Sequence, residues 1–236
     1  MINKKKILGI ITARSGSKGL KNKNILKVNN RPLLYWPIKA FKGSQYIDNF
    51  IISTDSKKYQ KISKKYGCEA PFLRPKNIAK DNTMSFEVIK HAINFFKKKK
   101  IFYDYFVLLE PTSPLTDSKD VDACIKKLIY NKKAKALVSV SKNINMHPEY
   151  NYEVDKKKFL KIKKNFIPRR RQKLNNFYFL DGSIYISEIN SYLKKKTFYH
   201  SQTLANIMPK IKSFEIDDYI DLVCVNSLMK EKKNIK

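Results

Sequence analysis

Apolar and polar positions fall along this chain in blocks that read alternately as strand and helix. Ile7 to Ala13 is a short, nearly continuous apolar run ending in a Gly/Ser-rich loop, the pattern of a parallel strand buried on both faces. Asn49 to Asp55 is a second such run. Between them, Pro32 to Lys42 carries apolar residues at helical spacing, and Pro37 inside it either kinks the helix or marks its start. Ser56 to Tyr66 is amphipathic and is stopped by Gly67. Thr83 to Lys100 puts Phe86, Ile89, Ile93 and Phe96 on one helical face. Tyr105 to Leu109 is a third strand, closed by Pro111. Asp117 to Asn131 is a helix with an acidic first turn, which suits its dipole. Ala136 to Val140 is a fourth strand.

This order predicts an α/β fold: a Rossmann-like, doubly wound, mostly parallel sheet with helices on both faces. The pattern breaks between about Lys142 and Asp181, where short β-like pieces and many charges replace long helices. It returns at Ser183 to Ile186 and continues in a strand over Lys212 to Ile216 and a helix over Asp217 to Met229. Residues 1–236 therefore read as one domain with an irregular β-rich excursion at about 142–181. Phe159, Phe166, Phe177 and Phe179 lie in or at the end of that excursion with no helix to cover them. A patch of this kind marks an interface, and a two-fold dimer would bury it from both chains.

Composition changes this picture little. A net charge of +30 raises nucleic-acid binding, but the excess is almost all lysine. Arg14, Arg31, Arg74, Arg169, Arg170 and Arg171 are the arginines. Abundant Lys, Asn and Ile reflect A/T-rich codons, and runs such as Lys97 to Lys100 suit solvated helix faces. The positive field would still draw anionic substrates. Cys68, Cys124 and Cys224 lie far apart, with neither metal spacing nor a disulfide framework. Met1 to Lys6 is polar and basic, and the apolar run after it is too short for a signal h-region or a span, so a cytosolic protein with no membrane partner is expected.

In open α/β sheets ligands bind at the carboxyl ends of the strands. The loop after the first strand is Ala13-Arg14-Ser15-Gly16-Ser17-Lys18-Gly19-Leu20-Lys21-Asn22-Lys23-Asn24. Its glycines and serines let backbone amides converge on an anion, and Arg14, Lys18 and Lys23 add the charge a triphosphate needs. It is not a Walker A loop. The motif Ala13-Arg14-x-x-Ser17-Lys18-Gly19-x-x-x-Lys23-Asn24 resembles the signature of the acylneuraminate cytidylyltransferases. Three further segments resemble that family in order and spacing. They are Leu109-Glu110-Pro111-Thr112-Ser113-Pro114-Leu115, Arg171-Gln172 followed by Asp181-Gly182-Ser183-Ile184-Tyr185, and Phe214-Glu215-Ile216-Asp217 with Asp221-Leu222.

The resemblance implies transfer of CMP from CTP to an acidic nine-carbon 2-keto sugar, with pyrophosphate leaving. It puts Ala13, Arg14, Ser17, Lys18, Gly19, Asn24, Arg74 and Ser85 at the nucleotide, and makes Arg14, Lys23 and Asp217 catalytic. Asp217, with Glu215 beside it, would hold Mg2+, a hard cation that takes one or two carboxylates plus phosphates. On a strand Glu215 and Asp217 would share a face. Glu110, Arg171 and Gln172 would meet the sugar, Arg171 through its carboxylate. The family resemblance also implies a homodimer with shared active sites. His147 is read as structural. Asn175, Phe179 and Asp181 depart from frequent family residues, which leaves N-acetylneuraminic, legionaminic and pseudaminic acids open as substrates. A 3-deoxy-manno-octulosonate cytidylyltransferase is the nearest rival, but Lys18-Gly19-Leu20 and Lys23-Asn24 differ from its usual first loop. A nucleic-acid-binding protein would need aromatics exposed among arginines, whereas Phe86 and Phe96 fall on an apolar face.

Overall fold

The computed structural model describes residues 2–17, 19–142, 147–162 and 170–231, and of Arg171 the backbone only. The chain runs β1 (Ile7–Thr12), the short hairpin strands β2 (Lys27–Val28) and β3 (Arg31–Pro32), α1 (Tyr35–Gly43), β4 (Asn49–Ser53), α2 (Lys57–Lys65), α3 (Ser85–Lys98) and β5 (Tyr105–Leu109). It continues through α4 (Ser118–Tyr130), β6 (Ala136–Ser141), a ribbon of β7 (Glu153–Val154) and β8 (Leu160–Lys161), then β9 (Phe179–Glu188), α5 (Ile189–Lys195), β10 (Thr203–Met208) and α6 (Tyr219–Glu231). Pro37 neither kinks α1 nor starts it: it is the third residue of the helix. Its missing N–H costs nothing there, because first-turn N–H groups have no intrahelical partner. Ser56 caps α2, accepting from the Tyr59 N–H at 3.3 Å. Asp117 and Asp120 form a capping box on α4.

Six strands form one sheet in the order β10-β6-β9-β5-β1-β4. β1 pairs in parallel with β4 and β5, and β10 with β6. β9 runs antiparallel between β5 and β6. Alternate residues of the central strands serve the two faces. Ile7, Ile11 and Val107 pack with Ile38 and Phe41 of α1 and Val121 and Ile125 of α4. Leu8, Ile10, Phe106 and Leu108 pack with Phe86, Ile89 and Ile93 of α3 and Tyr192 of α5. Each large side chain so buried contributes about 1.5–3 kcal/mol, which accounts for β1 and β5 as the fixed floor of the site. A smaller cluster of Val28, Leu33, Leu115, Ile216 and Val225 ties the β2–β3 hairpin to α6.

Two expectations are corrected at the C-terminal end. Lys212 to Ile216 is no strand: Lys210–Ser213 is a 3-10 turn, followed by unpaired extended chain that joins the β5 loop through Ile216 N–H to Thr112 O at 2.9 Å. The strand in this region is β10, and the helix before it is α5. β10 lies at the sheet edge with only Met208 fully buried, so its sequence carries little alternation.

The Asp181-Gly182-Ser183-Ile184-Tyr185 motif is a bulge in β9. Tyr185 pairs with Val138 of β6, but Val140 pairs with Leu180, so β9 loops out between them. The buried Asp181 fills the gap. Its carboxylate accepts from the Ser139 hydroxyl, from the Ser141 hydroxyl at 2.9 Å and from the Ser183 N–H at 3.1 Å. Gly182 sits at φ 67°, in the left-handed region. No helix among the described residues is long and apolar enough to cross a membrane.

Candidate active site

At the carboxyl ends of β1 and β5 lies a cavity of about 460 Å3. It brings together Arg14, Ser17, Gly19, Lys23 and Asn24 from the first loop, Arg74 and Ser85 from the segment before α3, Glu110 from the end of β5, and Asp217. Nine of the residues selected from sequence thus line one cavity, although they span most of the chain. Lys18 lies outside the described residues. Ala13 is fully buried in the core, and its N–H extends the β1–β4 pairing to Ser53 O at 3.1 Å, so it supports the loop from below. Gln172 is exposed, in the turn Arg171–Lys173.

The first loop is held by side chains on its own inner edge. Asn24, buried, donates from Nδ2 to Arg14 O at 3.0 Å. Ser15 donates its N–H and hydroxyl to the Asp55 carboxylate at 2.8 and 2.7 Å. Gly19 packs on the backbone of Asp217: a Cβ there would stand 2.8 Å from Asp217 O, so the close approach requires glycine. Loop and Asp217 are thereby fixed to each other across the whole length of the sequence.

Charge in the cavity is arranged in opposed pairs. Lys23 Nζ meets Asp217 Oδ1 at 2.9 Å, and the Asp217 side chain is 76% exposed. The Arg14 guanidinium is paired with Asp81 and also donates to Gly16 O. Arg74 is buried, and its guanidinium donates to the Ser53 hydroxyl at 3.1 Å and to Ser53 O. Burial lowers its pKa to about 10, with the Arg14 charge adding to that against Asp55. Arg74 therefore both locks its own turn onto β4 and faces the cavity. Burial raises the Glu110 carboxyl above its ordinary range, opposed chiefly by Lys23.

Glu215 does not share the face of Asp217. Without a strand to set alternation, its carboxyl turns away from the cavity lining into the notch over Gly182, where Ser113 Oγ donates to Oε1 at 3.2 Å. Burial and then the Glu110 charge push its pKa up to about 7. Among the described residues no group of three or more His, Cys, Asp or Glu is placed to hold a metal. A Mg2+ ion completed by phosphate oxygens needs fewer protein ligands, and the exposed carboxylate of Asp217 at the cavity wall fits that demand.

A second cavity of about 270 Å3 adjoins the first through Ser85 and Glu110 and is lined by Tyr185, Phe198 and Tyr199 among others. Phe198 and Tyr199 escaped the sequence reading because they belong to no motif. Lys80, Asp81 and Thr83 of the first cavity also escaped it, since before a helix such residues read as a cap. In the excursion, His147 is buried, accepts from the Glu149 N–H at 3.1 Å and bonds Asn175 O through Nε2 at 3.2 Å, in keeping with a structural role. Phe159, Leu160, Ile162, Phe177, Tyr178 and Leu180 are exposed; Phe179 is half-buried, and Phe166 lies outside the described residues.

Residues 8–235 match a sequence model of a family described as cytidylyltransferase. The chain is 34% identical over 241 residues to an N-acylneuraminate cytidylyltransferase of Escherichia coli O18:K1:H7, covering 98% of this chain and 54% of that protein. It is 31% identical to a CMP-N,N'-diacetyllegionaminic acid synthase of Legionella pneumophila, covering 95% and 96% of the two. The chain thus spans about half the length of the first relative and nearly all of the second. A solved CMP:2-keto-3-deoxy-manno-octonic acid synthetase complexed with CTP superposes with a TM-score of 0.69 at 14% identity, over 96% of this chain and 99% of that one; this is a likeness of fold.

Proposed function

The chain belongs to the cytidylyltransferase family, and from that premise we propose that it transfers CMP from CTP to an acidic nine-carbon 2-keto sugar of the sialic, legionaminic or pseudaminic type. The observation that carries this reading is the single cavity in which Arg14, Lys23, Asn24, Arg74, Glu110 and Asp217 converge. The named relatives support the nine-carbon class over the eight-carbon one, which enters only as a neighbour in fold.

In this reading the anomeric hydroxyl oxygen forms a P–O bond to the α-phosphorus and gives up its proton to solvent, while the bond to the β-phosphate oxygen breaks and pyrophosphate leaves. Such chemistry runs on positioning and charge neutralisation, with no covalent enzyme intermediate. Lys23 and Arg14 line the wall where a triphosphate would lie, and each must exchange its carboxylate partner for phosphate oxygens. Asn24 and Gly19 hold the loop that carries them. Asp217 would hold Mg2+, which when bound offsets phosphate charge. Glu110, half-buried between the two cavities, and the aromatic wall of Tyr185, Phe198 and Tyr199 would give the sugar a place next to the α-phosphate. Arg171 and Gln172 would reach the sugar of the other subunit in a homodimer, a reading supported by the exposed apolar residues of the excursion. Neither a nucleic acid nor a membrane is proposed as partner, and a cytosolic location is part of the proposal.

The test is pyrophosphate release from CTP, ATP and GTP against a panel of nine-carbon acids and 3-deoxy-manno-octulosonate. Release with CTP and a nine-carbon acid is expected. Equal turnover with purine triphosphates, or with the eight-carbon acid alone, would overturn the assignment.

A further inference from the structure

A cavity of about 900 Å3 lies apart from the one described above. It lies between α1, the end of α2, the start of α4 and the end of α6, and its walls include Tyr35, Trp36, Tyr66, Lys39, Lys64 and Lys65. The two cavities are lined by successive parts of one segment: Pro111 and Thr112 line the smaller, Pro114 to Ser118 the larger. Each can be filled without entering the other.

We propose that this cavity binds a phosphorylated aromatic small molecule of the nucleotide class. Its volume falls within the range of about 300–1,000 Å3 usual for small-molecule sites. Three aromatic rings form one wall, with Tyr35 edge-on to Trp36 at 5.2 Å and to Tyr66 at 4.9 Å. All three are half-buried, which leaves ring surface for a planar base to stack upon. Lys39 stands over the Trp36 ring at 5.6 Å, and Lys64 and Lys65 are exposed at the rim, where they can pair with phosphate. The one acid in the lining, Asp117, already meets Lys212 at 2.9 Å, so the cavity is net positive.

In so lysine-rich a chain the lysines alone would mean little. The independent observation is that Trp36 Nε1 and Thr116 Oγ1, both on residues lining the cavity, are buried and lack a hydrogen-bond partner among the described residues. Such groups are rare in native proteins and each costs about 1–3 kcal/mol when left unmet. Both atoms are sealed from the cavity in this arrangement, so a ligand with polar ring edges meets them only where the Trp36 ring or the Thr116 side chain turns toward it, a movement that Trp36 fluorescence reports.

Trp36 is the single tryptophan of the chain, so its fluorescence reports this cavity. AMP is a suitable probe, because a CTP site that selects cytosine binds it poorly. Titration with AMP is expected to quench Trp36 saturably at millimolar concentration or below, with adenosine and inorganic phosphate each weaker by about tenfold or more. The double variant Lys39→Ala/Lys64→Ala, two exposed positions, should weaken AMP about tenfold while turnover without AMP is unchanged. Arg14→Ala should leave the AMP response intact. The proposal fails if no saturable change occurs, if the lysine variant, with a native circular dichroism spectrum, binds AMP as the parent does, if phosphate alone matches AMP, or if Arg14→Ala removes the response. The last outcome would locate AMP in the CTP site. The test does not depend on the sugar substrate, and so stands apart from the proposed transferase reaction.

Discussion

Gly182→Ala probes the join between the β9 bulge and the acidic segment at the site. Gly182 has φ 67°, and a Cβ there would fall 1.6 Å from Glu215 Oε1 and 2.4 Å from its Cδ. Two costs are separable. An L side chain in the left-handed region costs about 1–2 kcal/mol. Glu215 must also leave the notch, giving up its bond from Ser113, a loss of about 1 kcal/mol. The expected destabilisation is then about 2–3 kcal/mol, read as a fall in urea midpoint at constant m-value. In a Glu215→Ala background the second cost vanishes, so Gly182→Ala should cost only about 1–2 kcal/mol. The coupling of about 1 kcal/mol is what the cycle measures. Gly16→Ala is the control: the nearest atom to its Cβ would be 3.8 Å away, and it should stay within about 0.5 kcal/mol of the parent. An equal cost of Gly182→Ala in both backgrounds would refute the contact with Glu215.

Asp217→Asn should lower turnover at least about a hundredfold, the scale of single charge-placing groups, while urea unfolding barely moves, since an exposed ion pair contributes about 0–1 kcal/mol; full activity in Mg2+ refutes the ligand role. If Arg171 acts across a dimer interface as proposed, mixed dimers of Arg171→Ala and Asp217→Asn chains should regain activity, because one of their two sites would then have both residues intact; demonstrated subunit exchange with no recovery excludes Arg171 from acting across the interface. The Glu215 carboxyl, ordinarily 4.5, stands at about 7 in the folded chain, so the folded state holds this proton more tightly than the unfolded one. Stability should therefore fall as pH rises from the first value through the second, and Glu215→Gln should flatten that part of the curve in metal-free buffer; an unchanged slope speaks against the burial of Glu215.

Much of the candidate site was legible because it is built where buried strands end. Ile7 to Thr12 and Tyr105 to Leu109 announce themselves by apolar runs, and Arg14 and Glu110 follow each within two residues. Arg74, between strand and helix, needed the family motif, since Arg74-Pro75 alone reads as a turn. What failed was local pattern without burial. The alternation in Lys212 to Ile216 mimics a strand, yet no neighbour offers it a ladder. Thr203 to Met208 forms one with almost no alternation, because β6 supplies the partner. Strand pairing is decided by partners distant in sequence, and an edge strand buries too little to leave a pattern. The face assigned to Glu215 failed with that strand.

The two halves of the site are also made differently. The half assigned to the nucleotide rests on β1, β4 and β5, which pair in parallel and place their carboxyl ends together, and its loop is tied to Asp55 and Asp81 as well as to Asp217. The half assigned to the sugar rests on β9, which enters the sheet antiparallel only after the excursion has returned. There the bulge at Asp181 to Ser183 lets Tyr185 face the second cavity while Gly182 leaves room for Glu215. Tyr199 is exposed in the connection between α5 and β10 and can change without touching β1, whereas its neighbour Phe198 is buried in the same core as Leu8, Ile10 and Phe106. A frame of this kind can hold one nucleotide and accommodate different acids, which fits relatives named for different nine-carbon sugars sharing 31–34% of their residues with this chain. In the proposed reaction, selection among the acids falls to the aromatic cavity and the excursion; Tyr199 and the excursion can vary freely, while Phe198 can vary only within the core that also carries Leu8 and Ile10 of β1.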